Sequence, residues 1–458
     1  FDLTNLFRGG DTVQNVTGVV DYNFGEYKLQ PTQGADYTSV NARADMPDVG
    51  GNLQVAAFNV LNYFTTLDEG DDICGPSGDM ECRGADTAEE FDRQRTKIIA
   101  ALAAIDADVV GLIEIENHPE NVPVADLVDG LNEAIGATAY AYVDTGAIGT
   151  DAIRQAFIYK PATVSLVGEY AVLDSTVDPR FIDTRNRPVL AQTFIDNATG
   201  GIFTVAVNHL KSKGSPCDDI GDPDLGDGAG NCNLTRLAAA EALVDWLEGD
   251  PTGSGDTDFL IIGDLNSYDK EDPIDALLAG GYTDLNYIFL GEYAYSYVFD
   301  GQLGYLDYAL ASAGLLGEVT GATAWHINAD EPSLIDYDMS YKEDAQDALY
   351  EPNAFRASDH DPVIAGLDVC DEIAPTAEVW LTRDVLWPPN HKYVTVRAHV
   401  DAADNFDPEP TVSLVSVTSN EPDNGQGDGD LPDDIVIVND FVFKLCLLYT
   451  SDAADELR

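Results

Sequence analysis

An apolar run, Phe259-Leu260-Ile261-Ile262, passes directly into Gly263-Asp264-Leu265-Asn266. Such a run reads as a buried strand, and it delivers a carboxylate and an amide at its end. An isolated carboxylate is costly to desolvate, so a residue so placed takes a charged partner or a metal ion. A second cluster of this kind is Ser358-Asp359-His360-Asp361-Pro362, which is followed by the apolar Val363-Ile364-Ala365. Two acidic strand-end clusters far apart in the chain imply one site assembled at the rim of a sheet.

The 458 residues leave room for two or more domains and a large core. No run approaches the roughly 18 apolar residues of a membrane span. The chain starts at Phe1 without a signal-peptide pattern, so a fragment or a mature form is expected. With 82 acidic against 23 basic residues the net charge is −59. That charge repels polyanions at long range and argues against a non-specific nucleic-acid binder. It fits adaptation to saline water, or carboxylates that bind Ca²⁺, or both. A metal-dependent enzyme acting on a polyanion is compatible with it if the cleft is locally basic.

Two close cysteine pairs, Cys74/Cys82 and Cys217/Cys232, each lie in a Gly/Asp-rich loop and suit disulfides in an oxidising compartment. Zinc fits poorly, since neither pair has CxxC spacing or a nearby His. Cys370 stands alone. Residues 445–458 contain CLLYTSDAADE, which resembles translated read-through of a sequencing adapter, and are set aside.

Residues 1–47 read as the remnant of an N-terminal β-rich domain and its linker. From about 50 to 367 strands and helices alternate. Helices are expected at Glu89–Ile105, Val124–Ile135 and Thr235–Glu248, the last with Thr235 as N-cap. Strands are expected at Leu53–Val60, Val109–Ile115, Ala156–Tyr159, Ile202–Asn208, Phe259–Ile262, Tyr305–Ala311 and Val363–Leu367. This order predicts a layered α/β sandwich with helix-covered sheets. Residues 373–444 lack helical periodicity and read as a small C-terminal β-sandwich module, with strands at Val394–Val400 and Thr411–Val417.

Polar residues end five of the apolar segments: Phe58-Asn59-Val60, Ile113-Glu114-Ile115, Val207-Asn208-His209, Gly263-Asp264-Leu265-Asn266 and Ser358-Asp359-His360. Singly, an Asn there is a turn former and a His a hydrogen-bonded structural residue. Glu114 is sharper, because a Glu inside an apolar strand needs a partner, either a buried Arg or a metal.

The pattern as a whole resembles the endonuclease/exonuclease/phosphatase superfamily, and within it the bacterial extracellular nuclease group. The resemblance runs through FNVLNYF (58–64), IEIEN (113–117), GTDAIRQAFIYKP (149–161), VNHLKSKGS (207–215), GDLNSY (263–268), LDYALAS (306–312) and FRASDHDPV (355–363). It implies a four-layer α/β sandwich of the deoxyribonuclease type. Residues 373–444 resemble a bacterial Ig-like module, although Phe406 stands where such modules often carry a cysteine, which leaves the partner of Cys370 open.

Position by position, the resemblance implies that Glu114, Asp359 and Asn59 hold Mg²⁺ or Mn²⁺, with Asn59 also near substrate. Mg²⁺ takes oxygen ligands and keeps several waters, so one or two carboxylates suffice. Asp264 would orient or deprotonate water, and Asn266 would hold a phosphoryl oxygen or Asp264 itself. His209 and His360 would donate to phosphate and move protons, with Asp307 orienting His360. Arg154 matches a phosphate-contacting Arg, with a salt bridge as its alternative. Leu61 replaces an Asp found in some relatives, which weakens a two-metal site.

Basic residues are scarce, so Arg185, Arg187, Lys211 and Lys213 stand out, the last three as substrate contacts beside His209. The loop from Cys217 to Cys232 carries five Asp and reads either as a structural Ca²⁺ site or as a simple acidic loop. The expectation is a secreted or cell-surface bacterial phosphodiesterase from a saline habitat, monomeric, acting on DNA and also on RNA. Its rivals are a phosphatase or phospholipid phosphodiesterase on the same scaffold, and an inactive calcium-binding adhesive protein.

Overall fold

The computed structural model describes residues 6–23, 25–388, 390, 392–418 and 433–446. Two compact units are formed, Phe1–Cys370 and Asp371–Arg458.

The first unit contains two six-stranded sheets. One runs in the order Val319–Ala324, Val363–Leu367, Leu53–Tyr63, Val109–Glu116, Ile153–Tyr159, Ala141–Tyr142. The other runs Val164–Leu173, Arg187–Asp196, Ile202–His209, Phe259–Asp264, Asp307–Ala311, Thr283–Asp284. At the centre of each sheet is one parallel pair: Leu53–Tyr63 beside Val109–Glu116, and Ile202–His209 beside Phe259–Asp264. Their neighbours are antiparallel. Buried on both faces, these central strands are nearly continuous apolar runs rather than alternating ones.

Successive side chains of a strand point to opposite faces, and here each face has its own core. On the first sheet Ala56, Phe58, Leu112 and Ile158 meet the helices Ala88–Ile105 and Val122–Ile135 through Ile98, Leu102, Leu127 and Leu131. The intervening Val55, Ala57, Ile113 and Phe157 turn inward against Phe194, Phe203, Val207 and Ile262 of the second sheet. Beyond that sheet, Ala206, Ile261 and Tyr308 pack under Leu243, Leu247, Ile274 and Leu277. The last four lie on the helices Asn233–Glu248 and Asp272–Ala279. Helix, sheet, sheet, helix is the four-layer α/β sandwich.

Helix ends follow local chemistry. Thr87 Oγ1 accepts from Glu90 N–H at 3.2 Å and Glu90 accepts from Asp86 N–H at 3.1 Å, which fixes the start of Ala88–Ile105. The expected cap at Thr235 is corrected. The third helix begins at Asn233, and Thr235 lies inside its first turn, donating N–H and Oγ1 to Asp222 Oδ2 at 2.7 Å each. The capping carboxylate reaches over from the disulfide loop. Both expected disulfides form, Cys74–Cys82 and Cys217–Cys232.

Residues 6–47 do not stand apart as a separate domain remnant. Arg8 pairs with Asp330 at 3.1 Å, and Arg43 holds Glu331 through two bonds of 2.9 and 2.7 Å, binding this segment to the first unit. The second unit is β-rich. Its four antiparallel strands are ordered Thr376–Leu381, Tyr393–Ala403, Val442–Cys446, Ile435–Asn439. Thr411–Val417, expected as a strand from its alternation, forms none, and Val415 is exposed. An alternating segment needs a partner edge to become a strand. Residues 419–432 and 447–458, the latter holding most of the suspected adapter segment, lie outside the described residues. Among those described, no helix is long and apolar enough to cross a membrane.

At Gly111 the two sheets are in tight contact. A Cβ there would lie 2.6 Å from Ile262 Cδ1 and 2.9 Å from Val207 Cγ2, both across the inter-sheet core. Gly111→Val should destabilise the first unit by roughly 1–3 kcal/mol or more by overpacking. Urea unfolding measures this, and an unchanged midpoint would contradict the close sheet contact.

Candidate active site

The two parallel pairs end at the same rim, and their last residues form the site. Val109–Glu116 is bent there. The pairing of Leu53–Tyr63 slips between Asn59 and Tyr63, and that of Ile153–Tyr159 slips between Arg154 and Ala156, so Glu114 lies opposite irregular backbone on both sides. Glu114 itself has φ +67, and Leu61 and Asn62 have φ +51 and +50. Left-handed non-glycine residues carry strain and cluster where a side chain must be re-aimed. Here the bend turns the Glu114 carboxylate toward the rim, where it accepts from Asn62 N–H at 3.0 Å.

On the second sheet His209 lies directly beside Asp264 in the parallel register, and Asp264 opposite Asp307. Gly263, just before Asp264, has φ +113, and a Cβ there would lie 2.2 Å from Asn208 O. Only glycine fits this turn-in of the backbone. Asn266 donates its N–H to Asp264 Oδ1 at 2.8 Å and its amide nitrogen to Leu210 O at 3.0 Å. The backbone of Asn266 thus holds Asp264, while its side chain fixes the strand that carries His209.

The groups converge across the inter-sheet seam. His209 Nε2 lies 3.8 Å from Glu114 Oε1, 3.6 Å from Asp264 Oδ2 and 3.4 Å from Arg187 Nη1. His360 Nδ1 lies 2.7 Å from Asp307 Oδ2, which also accepts from Ser296 Oγ at 2.8 Å. Tyr297 stacks on the His360 ring with centroids 4.4 Å apart. Ser296 and Tyr297 were not singled out in the sequence. Their only signal there is the aromatic run Tyr295-Ser296-Tyr297 in a loop.

The two imidazoles are set to opposite charge states. Burial, then the cations Arg187, His360 and Lys211, push His209 well below its ordinary value. Burial also opposes charge on His360, but Asp307, Asp359 and Asp264 outweigh it and hold His360 well above the usual range. Burial raises the Asp264 carboxyl to about 7, with Asp307 and Glu114 adding to it against His360. Glu114 is raised by burial first and then by Asp359, while His360 and Arg187 favour its charge.

Not every expected residue faces the site. Arg154 is corrected. It is 1% exposed, and its guanidinium donates to Asn121 Oδ1 at 2.7 Å, Gln155 O at 2.9 Å and Thr145 Oγ1 at 3.1 Å. Desolvation lowers its pKa to about 10, and it is committed to tying two loops together. Lys213 turns away toward Glu271 and lies over the Tyr268 ring at 4.5 Å. Four of the five aspartates in the 217–232 loop, the expected Ca²⁺ site, have partners within the protein. Asp222 caps a helix, Asp224 and Asp227 accept from Gly226 and Ala229 N–H, and Asp219 pairs with Arg185.

The donor chemistry fits a hard divalent cation at Glu114. Asp359 repels the Glu114 carboxylate, and the Asn59 side chain favours its charge by hydrogen bonding. Among the described residues no three His, Cys, Asp or Glu side chains are close enough to enclose a metal alone.

Residues 56–360 match the Endonuclease/Exonuclease/phosphatase family, and the chain belongs to that family. Its enzymes hydrolyse phosphoester bonds and generally depend on a divalent metal, typically Mg²⁺. Among solved structures, a Bacteroides vulgatus endonuclease/exonuclease/phosphatase is similar at 13% identity and TM-score 0.42, over 69% of this chain and 98% of that one. A Bacteroides thetaiotaomicron mannosyl-6-phosphatase is similar at 16% and 0.41, over 69% and 99%. D. rerio TDP2 complexed with single strand DNA product is similar at 14% and 0.40, over 68% and 97%. No curated protein matches the chain significantly.

The imidazole asymmetry gives a test that needs no substrate. In metal-free protein, NMR titration should find that His209 loses its proton at lower pH than His360. Replacing Asp307 by Asn removes the first-named counter-charge, so the His360 titration should move to lower pH while His209 stays below it. A His209 that titrates above His360 would contradict the arrangement.

Proposed function

We propose that this chain is a secreted phosphodiesterase that hydrolyses extracellular DNA, and also RNA, by attack of water on phosphorus. The observation that carries the reading is the convergence of Asp264, His209, Glu114 and the His360–Asp307 pair at one rim, with Arg187 beside His209.

In this reading Asp264 orients the attacking water and accepts its proton, since burial leaves it basic enough to do so near neutral pH. His360, kept protonated by Asp307, donates to a phosphoryl oxygen as negative charge grows there. Neutral His209 offers a second imidazole, held by Arg187. Glu114, Asp359 and Asn59 would hold Mg²⁺ or Mn²⁺, which when bound stabilises charge on the phosphoryl and leaving oxygens. Arg187 and Lys211 would bind substrate. The two disulfides support export to an oxidising compartment. The β-rich second unit is read as an Ig-like accessory module of a monomeric bacterial protein, and the net charge as adaptation to saline surroundings.

Glu114→Gln, Asp264→Asn and His360→Ala should each slow hydrolysis of plasmid DNA with Mg²⁺ by on the order of 10²-fold or more without unfolding the protein. Near-normal nicking by folded Asp264→Asn would remove the mechanism. Release of inorganic phosphate from phosphomonoesters without nicking would favour the phosphatase alternative.

The charge adds a second expectation. An acidic body repels DNA over the Debye length, about 30 Å at 0.01 M salt and about 8 Å at 0.15 M. Screening removes that barrier before it erodes short-range contacts. At saturating Mg²⁺, activity should therefore rise with NaCl to an optimum at or above about 0.15 M and then decline. A steady fall from low salt upward would instead mean that local cations dominate the field.

A further inference from the structure

Acidic residues number 82 and basic ones 23, so an average cation in this protein is surrounded by carboxylates. Several of the scarce cations nevertheless gather beside His209, among the carboxylates of Glu114, Asp264 and Asp151. Arg83, Arg187 and Lys211 all act on His209, and Arg83, Arg185 and Arg187 all act on Lys211. Asp151 lies among them, with Oδ1 3.0 Å from Arg83 Nη2 and Oδ2 3.2 Å from Arg187 Nε. Asp219 takes Arg185. The Lys211 ammonium is half-buried and has no ion pair or side-chain hydrogen bond among the described residues.

Collecting like charges here is unfavourable, and the fold maintains it with covalent help. Arg83 follows Cys82, whose disulfide with Cys74 packs against Phe64, Ala152 and Ile153, next to Asp151 in the chain. Across the seam, Asn186, between Arg185 and Arg187, accepts from Lys211 N–H at 2.9 Å. Asp219 lies just past Cys217, which is bonded to Cys232. Two guanidiniums braced by one carboxylate, beside an unpaired ammonium, make a fork for an oxyanion with several acceptors.

We infer that Arg83, Arg187 and Lys211 form a second phosphate subsite adjoining the hydrolytic centre, which takes the phosphodiester next to the one cleaved. Asp151 is a positioning residue that splays the two guanidiniums. The inference rests on the phosphodiesterase reading and sharpens it. The preferred substrate carries at least two consecutive phosphodiesters, so a polynucleotide is used better than a mononucleotide ester or a sugar phosphate.

The test compares an oligodeoxynucleotide with the p-nitrophenyl ester of thymidine 5′-phosphate, which has a single phosphodiester. For Arg83→Ala the ratio of kcat/KM for the oligonucleotide to that for the ester should fall roughly tenfold, mainly through the oligonucleotide KM. Arg83→Lys should recover part of it. Binding of the oligonucleotide in EDTA, where no turnover occurs, should lose about 0.7 from the slope of log K against log salt, one contact on a single strand. An unchanged ratio and slope in folded Arg83→Ala would overturn the subsite while leaving the phosphodiesterase reading intact. Equal losses on both substrates would overturn it too, since they mean a general effect on the centre. Failure of the unaltered protein to cleave the oligonucleotide, with phosphomonoesters hydrolysed, would overturn both readings.

Discussion

Everything at the candidate site depends on two sheets packed face to face with their parallel pairs ending at one rim. The inter-sheet core, with Val207 and Ile262 over Gly111, sets the spacing. Once that spacing is fixed, the strand ends that carry Glu114 on one sheet and His209 and Asp264 on the other have no choice but to meet. Interiors packed at crystal-like density transmit such constraints with little slack. The irregular backbone at Glu114, Asn62 and Gly263 then makes the final adjustment, turning polar groups toward the rim that a regular strand would leave in the core.

Charge is also sorted within the fold. A body with net charge −59 gathers Arg83, Arg185, Arg187 and Lys211 near one another. Within the centre, the same burial produces different outcomes because the neighbours differ. Burial, reinforced by Arg187, pushes His209 well below its ordinary value, while Asp307, Asp359 and Asp264 overcome burial and hold His360 well above it. Pairs of titratable groups driven apart by their surroundings are how acid and base roles are divided in one pocket.

Most of the central strands and the rim residues were legible in the sequence, because a polar residue ending an apolar run is a physical anomaly. Asn59, Glu114, His209, Asp264, Asp359 and His360 all carry that signature. What was not legible depends on partners that only folding supplies. Arg154 is a cation in an apolar strand, and nothing local says that Asn121 and Thr145 will close over it. Thr235 has the composition of an N-cap, but Asp222 arrives from the disulfide loop to do the capping. The strand Val164–Leu173 was missed because it is a half-exposed edge whose pairing slips between Val167 and Ala171, which blurs its period. Arg83 escaped notice although the same scarcity of bases that marks Lys211 marks it as well.

Glu114, raised in proton affinity by burial and by Asp359, would be neutralised by a bound divalent cation. Titration of the unaltered protein and of Glu114→Gln with Mn²⁺, followed by the EPR signal of the free ion, tests this directly without any substrate. One tight Mn²⁺ is expected in the unaltered protein, with an affinity weakened at least about tenfold by the substitution. Equal Mn²⁺ binding by the two proteins, with the fold of each intact, would contradict it.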